Sequence, residues 1–510
     1  MLGVQLAELT GAAPDGTEEA LDLVAGFDDA LAHGLGRLGG ERSAALTALA
    51  GALDATPLGP AVREAAEKIA AGSVTDEHLA ALAGGRTALF GAVHDALLGR
   101  LDAALGRERA GRAEAAIETD AEAPLLGAAR SWLQELAITG WRGVDHDLVS
   151  ASDQAIEALL ADPGARRLAV LLDGLAAELR ASSPVATMER LPVRRWADLW
   201  ARALLLCRPG GRSGLVGREE PGGRSGLVGR EEPGGRSGLV GREEPGGRSG
   251  LVGREEQGSA GQGEPTPVSG RLLILGVDVH EHATAVQAQV HAVLEPAGGA
   301  RPRVVRVSVG AAKVDTIVGP AVWRLLDAHP TLLGALAERR GLDVTDMLLP
   351  ASGDLIWHDD RAALAEPADP FVTARVLLPE AAFPAVPPLE RHPVRIAEPV
   401  LVEGHRTGDG AVELDGHTLA LDLDRLPGLG PLTPAMVTAA EACVGLVRWD
   451  GGRWTLQPLA VRGTLKRKPF EAHGGDWAMG PTDPKVVKAE AKAGDAVAVL
   501  RERAGRLLRR

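Results

Sequence analysis

Residues 209–256 read PGGRSGLVGREE PGGRSGLVGREE PGGRSGLVGREE PGGRSGLVGREE, four copies of one twelve-residue unit without a mismatch. Each copy has four Gly, two Arg, two Glu and one Pro, with only Leu and Val to bury. So little apolar surface does not offset the entropy of ordering the backbone that carries it. Solenoid repeats diverge around a fixed apolar pattern, because every position has its own packing task. Four identical copies instead mark a spacer that tolerates changes of length. The stretch QGSAGQGEPTPVSG continues in kind to Gly270. Residues 209–270 are therefore expected to form a flexible, disordered linker that divides the chain in two.

The part before the linker, 1–208, reads as all-α. Over Glu18–Leu38, the residues Leu21, Val24, Phe27, Leu31 and Leu35 recur at helical spacing, which buries one face. Further helices are expected at 41–53, 60–71, 75–84 and 87–107, then at 124–138, 147–161, 165–181 and 187–206. Gly and Pro punctuate the gaps. A polar, Ala-rich interval at 108–122 is a candidate internal boundary. Short connections favour antiparallel neighbours, in a bundle or a stack of helical hairpins.

Beyond the linker the period changes. In Ala283–Glu295, Val286, Ala288, Val290, Ala292 and Leu294 alternate with Gln287, Gln289 and His291, the signature of a half-buried strand. Arg303–Val309 alternates likewise. Strand-like runs return at 371–378, 393–403, 410–415 and 417–423, with helices near 312–328 and 331–340. Asp415–Gly416 is a two-residue hairpin signal, and Asp450–Gly451–Gly452 joins Val444–Trp449 to Arg453–Val461. Residues 271–463 are thus expected to be an α+β unit with a mainly antiparallel sheet. Over 464–510 a loop leads to a basic amphipathic helix, introduced by Asp483 as cap and Pro484 at the first helical position and running from Lys485 to Leu508.

Composition narrows the function classes. Of 510 residues, 45% are hydrophobic and 24% charged, the mix of globular domains. The net charge of −14 argues against a general nucleic-acid coat or an anionic-membrane binder. The last fifty residues depart from this, with twelve Lys or Arg against six Asp or Glu. RNA is accordingly expected to bind, if at all, through the C-terminal helix. The two cysteines, Cys207 and Cys443, build neither a disulfide framework nor a Cys-rich zinc site, which fits a reducing cytoplasm. There is no signal-peptide pattern, and no apolar run is long enough for a membrane span.

Few motifs offer chemistry. Gly34–Leu–Gly36–Arg–Leu–Gly39 matches a dinucleotide fingerprint, yet a helical pattern precedes it where a strand is required, so it reads as a Gly-rich helix end. Neither a phosphate-binding loop of the Walker type nor a His-Glu-x-x-His pair is present. Asp278–Val–His280–Glu–His282 follows the apolar run Leu272–Val277, placing Asp278, His280 and His282 on one face of an extended segment. That spacing can present two imidazoles and a carboxylate to zinc or another divalent metal, with His358, Asp359 and Asp360 as further donors. The bland reading is a polar strand end without a cofactor. Trp196 and Trp200, one helical turn apart beside Arg194 and Arg195, form either a partner-binding stripe or core. Lys485, Lys488, Lys492, Arg501 and Arg506 make the C-terminal helix a second candidate contact surface, with docking of its apolar positions on another surface as one use.

Three segments, ATMERLPVRRWADLWARALLL (186–206), LGVDVHEHATAVQAQVHAVLEP (275–296) and LVRWDGGRWTLQPLAVR with the basic tail, together resemble an uncharacterised family of high-GC bacterial proteins. Its genes lie beside those for SWIM zinc-finger proteins, MoxR-type AAA ATPases and von Willebrand A-domain proteins. The resemblance brings no catalytic residues. It implies a non-catalytic adaptor or scaffold in an ATPase-linked assembly, with the ATPase or the A-domain protein as partner. A metal-dependent hydrolase centred on Asp278, His280 and His282 is the alternative from a different class.

Overall fold

A computed structural model describes residues 1–109, 123–162, 165–183, 185, 188, 191–208, 265–281, 285–314, 316–493 and 497–499. The helical half holds α1 (Gly3–Thr10), α2 (Thr17–His33), α3 (Gly40–Ala52), α4 (Gly59–Ala70) and α5 (Asp76–Leu105). It continues through α6 (Ala123–Thr139), α7 (His146–Ser150), α8 (Asp153–Leu160), α9 (Arg166–Ala181) and α10 (Val193–Leu206). One core runs through α2 to α10, with Phe27, Trp141, Trp196 and Trp200 among its fully buried side chains.

Two expected helices, 75–84 and 87–107, are one: α5 runs unbroken through Gly84–Gly85. Gly85 is required there by packing. A Cβ at that position would lie 2.7 Å from Leu53 Cδ1 and 3.1 Å from Val62 Cγ2, so its absence lets α4 approach α5. Conversely, the helix expected at 147–161 is split into α7 and α8. The dinucleotide-like glycines follow the end of α2 and precede α3, a helix end as the sequence suggested.

The second half builds two sheets. The first comprises β1 (Thr266–Glu281), β2 (Ala285–Pro296), β3 (Arg303–Ala312), β4 (Arg340–Leu349), β5 (Asp354–Leu355) and β6 (Ala362–Pro367), in the order β5-β3-β2-β1-β4-β6, with α11 (Pro330–Glu338) preceding β4. After α12 (Pro370–Leu377) come β7 (Ala397–Glu403), β8 (Arg406–Gly408), β9 (Ala411–Leu414), β10 (His417–Leu421), α13 (Pro434–Thr438), β11 (Ala440–Asp450), β12 (Arg453–Leu465) and β13 (Lys468–His473). Their order is β7-β11-β12-β10-β9-β8, with β13 also on β12.

Both sheets are mixed, which corrects the expectation of a mainly antiparallel sheet. β3 pairs in parallel with β5, and β10 in parallel with β12. Hairpin signals report only strands adjacent in sequence, whereas each parallel pair joins segments more than thirty residues apart. The two turns read from sequence are present. Leu414 pairs with His417 across Asp415 and Gly416, both at positive φ, and Asp450 pairs with Arg453 across Gly451 and Gly452. The strand expected at 371–378 is instead α12. Asp369 caps it, accepting from the Phe371 and Val372 amides, and Phe371 and Ala374 bury one face. The helix expected at 312–328 is a 3₁₀ segment at Gly319–Leu326. β1 starts at Thr266, inside the stretch read as linker.

α14 (Pro484–Ala493) and Val497–Val499 represent the expected basic helix, and its remaining turns to 508 lie outside the described residues. Val497 is buried among the side chains of the first sheet's core, so this end of the chain docks on its own protein. No helix among the described residues is long and apolar enough to cross a membrane.

The two halves share a core. Leu6 and Leu9 of α1 and Val93, Leu97 and Leu101 of α5 pack with Val400, Val402, Val412, Leu414 and Leu419 of the second sheet. At the end of α5, Arg107 donates to the Pro399 carbonyl, and Arg109 pairs with Asp102 at 2.7 Å and with the buried Glu398 at 3.2 Å. α5 thus serves both bodies, its first half in the helical core and its second half under the sheet.

Candidate functional site

The sequence offered Asp278, His280 and His282 as metal ligands. Asp278 lies on β1 between the two sheets, nearly fully buried. Arg448 of β11 donates to one of its oxygens, Gln457 of β12 donates to the other at 2.8 Å, and Arg448 also donates to the Gln457 side-chain Oε1 at 2.5 Å. His280 Nε2 sits 2.9 Å from the carboxylate that Arg448 holds. Burial alone would raise the Asp278 pKa, but hydrogen bonding from His280 and the Arg448 charge hold it well below the usual carboxylate range. A guanidinium and an amide therefore occupy the lone pairs a metal would need. His282 lies outside the described residues. His358 and Asp359 are close in sequence, but Asp359 is committed to capping α11, accepting from Thr331 and Leu332. Among the described residues no group of three metal-ligating side chains assembles.

The interaction candidates on α10 separate by depth. Trp196 and Trp200 are fully buried: Trp200 donates its indole N–H to the Leu133 carbonyl at 2.9 Å, and Trp196 packs on Trp141 with ring centres 5.3 Å apart. The stripe is core. Arg194 and Arg195 point the other way and are exposed, at the first turn of α10. They line an open groove of about 960 Å³ at the seam between the halves. Its floor comes from α2 (Ala25, Asp28, Asp29), one wall from Leu191–Asp198, and the other from His392–Arg395 of the second half.

The second wall is held by a segment that reaches across the seam. Leu389 inserts into the helical core, and Glu390 accepts from Arg167 at 2.9 Å and Arg202 at 2.6 Å. His392 stacks on Phe90 of α5 with ring centres 4.2 Å apart, and Arg391 pairs with Asp95 at 3.5 Å. Arg395 reaches Glu390 and lies 3.8 Å from Asp198. Behind the floor, Arg86 makes two hydrogen bonds to Asp28, at 2.6 and 3.1 Å, both groups fully buried, and reaches Asp198 at 3.7 Å. The acidic groups facing the groove are thus each engaged by arginine: Asp28 by Arg86, Asp29 by Arg42 and Asp198 by Arg86, Arg202 and Arg395. Burial pushes the His392 imidazole down to about 3, with Asp198 opposing and Arg86, Arg395 and Arg194 adding to the shift.

On α14, Lys485, Lys488 and Lys492 are exposed, while Arg501 and Arg506 lie outside the described residues. The structure therefore brings Arg194 and Arg195 to a cavity and leaves the α14 lysines on open surface. Sequence reading did not find His392, Arg395 or the Asp28–Arg86 pair. The charge-dense, proline-rich run PPLERHPVR (387–395) was the available signal, as were a lone Asp and a lone Arg on otherwise apolar helical faces. Neither names its partner. Comparison with protein-family models, curated proteins and solved structures returns no match.

Proposed function

We propose that this chain is a non-catalytic adaptor that receives a partner protein in the groove between its two halves. The observation that carries the reading is the composition of that groove: three arginines, an open mouth, and walls contributed by both halves. Its acidic groups are tied up in internal ion pairs, so they supply no free carboxylate for general acid or base work. Asp278 and His280 are likewise spent on a salt-bridged network between the sheets. The resemblance in sequence adds the kind of assembly, an ATPase-linked cytoplasmic system in which a MoxR-type ATPase or a von Willebrand A-domain protein is the partner. Pull-down with tagged full-length chain from a native extract tests the reading. Stoichiometric recovery of such a partner is expected, and recovery of an isolated monomer contradicts it. The metal-dependent alternative has its own check, since zinc bound in stoichiometric amount and lost in His280→Ala would revive it.

A further inference from the structure

We infer that the open end of β3 is an interface between two copies of this chain, joined edge to edge as an antiparallel strand pair. The inference is independent of the groove and goes beyond the adaptor reading. β3 pairs with β2 along its whole length, but its other edge is only partly covered. There the amides of Val304 and Arg306 donate to the Ala382 and Gly353 carbonyls, and β5 pairs with Arg306 and Val307. β5 then leaves, because the Ile356 amide turns to the Leu348 carbonyl of β4. Amides that point away from an antiparallel neighbour recur at every second residue, so those of Gly310 and Ala312 face outward like those of Val304 and Arg306. Among the described residues no strand takes them. Ser308, Gly310 and Ala312 are all exposed.

Proteins blunt such edges with charge, proline, shortness or a cover. Other outer strands of this chain do so. β6 ends in exposed Glu366 and Pro367, β8 is three residues long and opens with exposed Arg406, and on β7 the Pro399 carbonyl is taken by Arg107. The end of β3 reads Ser308–Val309–Gly310–Ala311–Ala312, with neither charge nor proline. Lys313 stands where a guarding charge belongs, yet its side chain is buried and paired with Glu281 at 3.1 Å. This edge is unguarded.

The occupant that matches the edge is a second copy of it. Antiparallel pairing about a two-fold axis at Gly310 sets Ser308 opposite Ala312 of the second copy, and Val309 opposite Ala311. The two Gly310 residues then exchange amide and carbonyl across the axis, and each Ala312 amide reaches a Ser308 carbonyl. The paired residues are uncharged, so no like charges face each other. Val314, 39% exposed, follows the strand, and Ile356, 41% exposed, follows β5, which puts apolar surface beside both ends of the pairing. An interface of this kind closes at two copies, and the dimer carries two grooves. Its shortness places it among weak, reversible contacts. Each copy carries a net charge of −14, so their repulsion opposes association at low salt and is screened as ionic strength rises.

Sedimentation equilibrium of the full-length chain over the micromolar range tests the inference. The expected result is a mass that rises from one copy to two with concentration, more readily at physiological than at low salt. Ser308→Lys combined with Ala312→Lys sets lysine opposite lysine and weakens the dimer about tenfold. The matching double glutamate variant is weakened alike, and an equal mixture of the two variants dimerises again, lysine facing glutamate. Both positions are exposed, and Ser308 receives only a surface hydrogen bond from Gln289 at 3.4 Å, so each variant unfolds thermally close to wild type. In the wild-type chain, hydrogen exchange at the Gly310 and Ala312 amides slows as concentration rises. A wild-type chain that stays monomeric throughout overturns the inference, whether the edge is then empty or taken by a partner's strand. A dimer that the lysines leave unchanged, a mixture that stays monomeric, or exchange at these amides that ignores concentration overturns it as well. Pull-down of a partner reads the groove separately, so either reading can fail alone.

Discussion

At the scale of single residues, two buried groups between the sheets govern stability. Asp278 satisfies Arg448, Gln457 and His280 at once, and removing one partner of a buried ion pair costs roughly 3–5 kcal/mol. Asp278→Asn should therefore lower the unfolding free energy by about that amount in urea titration, and a loss below about 1 kcal/mol would show that the network is not closed in solution. His291, on β2, is fully buried with neither ring nitrogen bonded among the described residues, and burial pushes its pKa down to about 3. A histidine held neutral in the folded state takes up its proton only on unfolding. Stability it supports is fully present above about pH 6.5 and is lost as pH falls towards 3, by roughly 1.4 kcal/mol per pH unit. His291→Leu should flatten that acid limb and, by removing two unsatisfied polar atoms, stabilise the fold at pH 7 by about 1 kcal/mol. An unchanged acid limb in the variant would show that other groups set it.

At the scale of elements, α5 is the decisive one. Its adjacent glycines look alike in sequence and differ in space: a Cβ at Gly85 meets Leu53 and Val62, while one at Gly84 meets nothing within 4 Å. Gly84→Ala is expected to stabilise by about 0.5–1 kcal/mol through helix propensity. Gly85→Val should cost about 1–3 kcal/mol by overpacking. Equal thermal shifts from the two would contradict the packing of α4 on α5. The same pair shows why the sequence predicted two helices there. Propensity sees two helix breakers, whereas the close approach of another helix makes one of them necessary. Period and turn chemistry were legible where they act locally: the amphipathic helices, β2, β3 and both hairpin turns. α12 was misread because alternating Val and Ala fit either period, and the Asp369–Pro370 start signal decided it. β4 and the parallel pairs were not legible, since β4 pairs with β1 some seventy residues earlier and the parallel partners are also distant. β13 pairs with β12 across only Lys466 and Arg467, both at positive φ, a tight turn built without the Gly or Asn that marks one in sequence. For the site, arginine at the start of α10 was visible, but the cavity needed a loop some two hundred residues distant.

At the scale of the whole molecule, the two halves are in direct contact, a point the sequence left open. A shared core along α5, the Arg107 and Arg109 contacts to β7, and the segment at Leu389–Arg395 lock the halves into one body with the groove on the seam. The repeats then join two parts that already contact each other. Residues 209–264, expected from sequence to be a linker, lie outside the described residues; for a linker of that kind, losing three of the four units changes closure entropy by only about 1 kcal/mol. Thermal unfolding and partner recovery should both survive that deletion, and loss of either would mean that the repeat itself is recognised. The most direct test of the seam uses the full chain with a protease site placed in the repeats. After cleavage, the two fragments should stay together through size-exclusion chromatography, and Leu389→Ala combined with Glu390→Ala should weaken their association. Separation of the wild-type fragments on cleavage would contradict the account, because the groove would then have no fixed second wall.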